Sequence, residues 1–185
     1  MDRLNPDSSL LLLVDVQERL LGAMPQMAQD RLLANADILL EAARVLGVKV
    51  LATEQYPKGL GPTATKIAAR LPALGVSPMS KLDFDALSDP TIAHAIHHSE
   101  ARNVIVLGME THVCVFQTAR ELARRGYATH VVADAVASRT EDNREAGLRL
   151  CDRAGAIITV AEAVAFDWLR RAGSESFKQI SKRIR

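Results

Sequence analysis

The chain has 185 residues, 48% of them apolar, with 23 basic and 22 acidic side chains for a formal net charge of +1, and two cysteines. A chain of this length makes one domain, which buries roughly 70% of its unfolded surface without a metal or disulfide staple, and its apolar content excludes a disordered polyelectrolyte. Near-neutral charge supplies no basic face for nucleic acid, and two cysteines form no disulfide framework, which points to a reducing, cytoplasmic compartment.

The polar stretch Met1–Ser9 leads into an apolar run, Leu10–Val14, that ends at Asp15. No basic stretch precedes the run and it is far too short to cross a bilayer, so neither a leader nor a membrane partner is expected. Leu32, Leu33, Ala36, Leu39, Leu40, Ala43 and Leu46 recur at helical spacing over Arg31–Leu46, and Gly47 stops that helix. Val48–Ala52 is a second run, ending at Thr53, and the loop Glu54–Thr65 that follows is the richest in glycine and proline. A loop of that length inside a compact domain is often functional. Ser77–Ser80 is a weak third run, Thr91–Ser99 a short helix, and Val104–Leu107 a strong fourth run ending at Gly108. Val115–Arg125 reads as a helix ended by Gly126, Thr129–Ala133 as a fifth run ending at Asp134, Glu141–Arg153 as a helix before Gly155, and Ala156–Thr159 as a sixth run. Runs that are apolar throughout, rather than alternating, suit strands covered on both faces. Strands alternating with helices predict a three-layer α/β fold, a doubly wound six-stranded parallel sheet in the order 3-2-1-4-5-6 with right-handed crossovers. The expected single domain spans residues 1–185, with a core at about 9–162. The tail Arg170–Arg185 holds six basic residues and one acidic one, with Phe177, Ile180 and Ile184 at helical spacing. It is expected to form an amphipathic helix docked on its own domain or on a neighbouring subunit.

In an open α/β sheet, ligands bind beyond the carboxyl ends of the strands, near the point where the strand order reverses. Asp15, Thr53 and Glu54, Lys81, the segment Gly108–Cys114, and Asp134 follow the first five runs. With strands 1 and 4 adjacent, Asp15 faces Cys114 across the crevice. A helix start and a lysine both favour a thiolate, a carboxylate accepts the thiol proton, and backbone amides around Cys114 are placed to form an oxyanion hole. Each residue also has a plainer reading: a small buried hydrophobe for Cys114, a turn or cap residue for Asp15, a surface charge for Lys81. Their coincidence at one rim favours function. His94 and His98 lie four apart on a helix, but neither an H-E-x-x-H nor a third ligand accompanies them, and no G-x-G-x-x-G follows a strand, so no metal and no nucleotide cofactor is expected. Asp134 either caps the next helix or lines the rim, and Cys151 falls in a helix interior.

The segments LLLVDVQERL, TEQYPKGLGPT, the lysine of SKLDFDAL, and GMETHVCVFQTARELARRGYATHVVADAVASRT resemble the isochorismatase-like cysteine hydrolases, closest to the isochorismatase domain-containing subgroup, from about Ser9 to Glu162. FKQISKRI in the tail resembles the same subgroup. The resemblance implies a catalytic triad of Asp15, Lys81 and Cys114, a cis peptide at Met109–Glu110, and an oxyanion hole from the amides of Glu110 and Cys114. It implies a homo-oligomer and metal-independent hydrolysis of a small amide- or ester-like substrate through a thioester. Isochorismatase itself cleaves a vinyl ether, so that reaction, or a non-enzymatic binding module on the same fold, stays open as an alternative. Nicotinamidases of the superfamily carry an Asp-x-His metal pair after the second strand, where this chain has Thr53, Glu54, Gln55 and Tyr56. The segment Glu54–Gly61, with Tyr56, is expected to wall the pocket, together with Phe84, His112 and Phe116. Gln17 either contacts substrate or sits at a helix start on the surface.

Overall fold

A run of leucines with no polar alternation has no side to offer water, and Ser9–Val14 duly becomes the central strand β1, buried along its whole length. The computed structural model describes residues 3–184. After β1 come α1 (Glu18–Gly22), α2 (Gln26–Leu46), β2 (Lys49–Gln55), α3 (Pro57–Leu60), α4 (Thr65–Ala68) and β3 (Met79–Lys81). The second half adds α5 (Pro90–His98), β4 (Asn103–Met109), α6 (Phe116–Arg124), β5 (Ala128–Ala137), α7 (Glu141–Arg153), β6 (Ile157–Thr159), α8 (Ala161–Leu169) and α9 (Glu175–Ser181). The six strands form one sheet in the order β3-β2-β1-β4-β5-β6, every pairing parallel. Leu10 lies opposite Lys49 on one side and Val104 on the other.

Because successive side chains of a strand point to opposite faces, β1 feeds two cores. Leu11 and Leu13 pack with Leu32, Ala36 and Leu39 of α2 and with Val164 and Trp168 of α8. Leu10, Leu12 and Val14 pack with Ile92 and Ile96 of α5, Ala119 and Leu122 of α6, and Cys151 of α7. Cys151 is fully buried there, in the helix interior that its sequence context suggested.

Several boundaries differ from the sequence reading. Helix α2 starts at Gln26, five residues early, because Pro25 sits just outside it and a proline is tolerated where the first amides need no partner. The third strand is shorter and shifted towards Lys81, as suits an edge strand with one neighbour. Helix α8 was not foreseen: its inward residues Ala161, Val164, Ala165, Trp168 and Leu169 crowd a nine-residue apolar stretch with little polar face to mark a period. Asp134 is a cap, but of α8, its Oδ1 accepting the Ala161 amide at 2.9 Å, whereas Thr140 caps α7. The tail helix α9 docks on its own domain. Ile180 is fully buried, Phe177 meets Phe166, and just beyond α9 Arg183 pairs with Asp37 of α2 at 2.9 Å.

Candidate active site

Strand order brings the carboxyl ends of β1, β2, β3 and β4 to one edge of the sheet. Asp15, immediately after β1, adopts a left-handed backbone with φ 54°, a conformation aspartate tolerates better than most residues. The turn keeps its side chain inside the protein, with no exposure. Its Oδ1 accepts the Thr53 hydroxyl at 2.7 Å, and its Oδ2 accepts Lys81 Nζ at 2.7 Å. Lys81, the last residue of β3, is equally buried and also donates to Gln55 Oε1 at 2.6 Å and to the carbonyls of Asp83 and Phe84. Two charges taken out of water persist only where each finds its opposite and its remaining donors are satisfied; here both conditions hold.

Across from them, β4 runs against β1 so closely that a Cβ on Gly108 would sit 1.9 Å from the Val14 carbonyl oxygen. The Met109–Glu110 peptide is cis. Glu110 is buried, and its Oε2 accepts both the amide (3.0 Å) and the Nε–H (3.1 Å) of Arg139. The chain then makes one π-helical turn, Thr111–Val115, and continues directly into α6. Cys114 is thus the fourth residue of the helical winding, not its first as the sequence suggested. Such wide turns within helices recur at functional sites. Helix α7 seats against this turn at Gly147, where a Cβ would come within 2.6 Å of the His112 amide nitrogen.

Cys114 is 5% exposed. Burial is the largest influence on it, and with the negative charge of Asp15 it pushes the thiol up from an ordinary 9.0 to about 12, while Lys81 pulls it down. Burial and the facing carboxylate thus oppose the thiolate that the lysine favours. A raised thiol pKa favours the folded state below pH 9, and that contribution disappears as pH climbs through about 12. The alkylation rate of Cys114 in the folded protein should accordingly keep rising past pH 9, where a free cysteine levels off; a plateau near pH 8.5 in a stopped-flow iodoacetamide series would contradict this environment.

Cys114 lies in a cleft of about 360 Å³. Leu20, Ala23, Leu60, Phe84 and Val113 give it apolar walls, and Arg19, Gln55, Glu110 and Arg139 supply the polar groups. The volume suits a small metabolite. Of the residues expected to wall the pocket, Phe84 lines the cleft, as do Gln55 and Leu60 of the Glu54–Gly61 segment. Gln17 is fully buried, donating to the carbonyls of Gln55 (3.0 Å) and Gly61 (2.7 Å) and accepting the Gln55 amide (2.8 Å), so it ties down the loop that forms the wall. Glu54 accepts the amide and hydroxyl of Thr63, both at 2.6 Å. Tyr56 is half-exposed and borders a neighbouring groove with Lys81. His112 hydrogen-bonds Ser138 at 3.1 Å through Nδ1, and Phe116 packs on the core beneath Arg120. Arg19 and Arg139 were not singled out from sequence, although they follow the carboxyl ends of β1 and β5. A larger groove of about 580 Å³ lies between α2, α4 and the tail, but Arg70 and Arg183 across it are both paired to Asp37. His94 and His98 stack on α5 with ring centroids 3.9 Å apart. Among the described residues no three His, Cys, Asp or Glu side chains converge as a metal site would need.

Residues 9–163 match the Isochorismatase domain. The chain is 34% identical over 186 residues to mouse isochorismatase domain-containing protein 2A, covering all of this chain and 86% of that protein. It is 37% identical over 187 residues to the secreted isochorismatase effector Isc1 of Phytophthora sojae, covering 100% of this chain and 88% of the relative. Among solved structures, the MAR1 ribonuclease of Caenorhabditis elegans superposes with a TM-score of 0.90 at 34% identity, covering 99% of this chain and 92% of that one.

Proposed function

The chain belongs to the isochorismatase domain family, and on that premise we propose that it is a metal-independent cysteine hydrolase of small amide- or ester-like substrates. One observation carries this reading: a buried thiol opens onto a cleft of metabolite size directly in front of the buried Asp15–Lys81 pair. Asp15 takes the thiol proton as the Cys114 sulfur attacks the substrate carbonyl, so the nucleophile is charged only while it reacts. Lys81, fixed at 2.7 Å from Asp15, pairs with its carboxylate and offsets the charge that develops. The carbonyl oxygen turns towards the amides of Glu110 and Cys114. Collapse of the intermediate breaks the bond to the amine or alcohol, which leaves with the proton from Asp15 and a Cys114 thioester behind. Water then attacks the thioester, giving its proton to Asp15, and the acid product departs as the proton returns to sulfur.

Replacing Cys114 with alanine should lower kcat on any amide or ester that the protein turns over by about a thousandfold, with folding intact by circular dichroism. Hydrolysis that persists in the folded variant would remove the thiol from the mechanism, and cleavage of isochorismate that survives the change would select the vinyl-ether reading. The ribonuclease name of the Caenorhabditis elegans relative supports a second reading, phosphodiester cleavage. A polynucleotide backbone calls for a track of basic residues, however, and the cleft carries two arginines against one glutamate, so we keep the small-molecule reading. Both cysteines are free, which supports action in a reducing compartment such as the cytoplasm. The exposed Tyr56, Leu82 and Phe84 near the cleft support assembly of several copies.

A further inference from the structure

The cleft around Cys114 is not electrically balanced. Asp15 and Lys81 behind the sulfur cancel each other, and both are out of contact with water. The charged residues that line the cleft are Arg19, Arg139 and Glu110, a surplus of one positive charge. Glu110 is already engaged, since its Oε2 accepts two hydrogen bonds from Arg139. Arg19, on α1, directs its Nη1–H to the Gly59 carbonyl at 2.8 Å, which holds the guanidinium over the loop that forms the opposite wall. A guanidinium has five N–H donors in a planar fork that matches a carboxylate, and that one carbonyl takes a single donor. The remaining walls, Leu20, Leu60, Phe84 and Val113, are apolar.

We propose that the cleft selects small acyl compounds that carry an anionic group, a carboxylate above all, with Arg19 as its principal anchor and Arg139 as a second. The apolar walls hold the body of the molecule between the anion at the rim and the carbonyl at the sulfur. This inference rests on the hydrolase reading of the same cleft and names its substrate class. An amine or a cationic ester is disfavoured at the same rim. Because the arginines are partly in water, the preference should weaken as salt is added.

Iodoacetate and iodoacetamide test the selection without requiring turnover. In each, the sulfur displaces iodide and gains the same methylene carbon, and the reagents differ mainly in one negative charge. The ratio of their rate constants at Cys114, followed by peptide mass spectrometry at fixed pH, is expected to fall by about tenfold on Arg19→Met and further on Arg19→Glu. The same ratio in the unaltered protein is expected to fall as salt is raised, which keeps the test decisive if a variant does not fold. A ratio indifferent both to Arg19 and to salt would overturn the proposal. A Cys114→Ala protein that still hydrolyses esters, alongside a ratio that responds to Arg19, would remove the thiol mechanism while leaving the anion site in place. Loss of hydrolysis in that variant with an unresponsive ratio would do the reverse.

Discussion

Lys81→Met is expected to lower the unfolding free energy by about 3–5 kcal/mol, and to abolish turnover in whatever fraction stays folded. Methionine matches the lysine stem in length and apolarity, so lost packing is a small part of the effect. What is lost is the cation 2.7 Å from Asp15, whose carboxylate then sits without its partner at zero exposure. Removing one partner of a buried ion pair costs this much because the survivor keeps its desolvation penalty. The double variant Asp15→Asn with Lys81→Met separates stability from chemistry. Asparagine still accepts the Thr53 hydroxyl, neither charge of the pair remains, and most of the lost stability should return in urea titration, while activity stays absent. A double variant as unstable as Lys81→Met alone would mean that the pair is a net stabiliser and not a functional expense.

The second large effect concerns a residue with no side chain. Gly108 in β4 has φ 129°, and its missing Cβ would lie 1.9 Å from the Val14 oxygen and 2.8 Å from the Val14 carbonyl carbon. Val14 cannot retreat, because β1 is paired on both sides and buried throughout. Gly108→Ala should therefore cost more than about 4 kcal/mol, beyond most single substitutions, and yield little soluble protein. Gly22→Ala is the matched control. Nothing lies within 4 Å of its added Cβ, it closes the short helix α1, and alanine there should leave the melting temperature unchanged or slightly higher. Similar behaviour in the two variants would sink the steric explanation.

The strands were legible because a parallel sheet covered on both faces demands uninterrupted apolar runs, and a leucine run cannot hide. Asp15, Lys81 and the Cys114 segment could be picked out for a related reason: each stands where a run ends, and the fold brings those ends together. The walls of the cleft were harder. Gln17, Glu54, Tyr56, His112 and Phe116 lie beside the key residues along the chain, yet adjacency in sequence carries no direction, and their side chains turn into the protein, the neighbouring groove or the core. Arg19 and Leu20 reach the cleft from the first turn of α1, which starts three residues after Asp15, and Arg139 reaches it from just beyond β5, one strand further along than Glu110. The raised thiol pKa was out of reach as well, since burial, its main cause, is a property of the packed molecule.

The wall formed by the loop after β2 is fastened in good part through its own main-chain atoms. Gln17 grips the amide and carbonyl of Gln55 and the carbonyl of Gly61, and Arg19 takes the carbonyl of Gly59. None of these anchors depends on which side chains the loop displays. Relatives and engineered variants are thus free to exchange residues such as Lys58 and Leu60, retuning what the cleft admits while the frame that aims Asp15 at the sulfur stays in register.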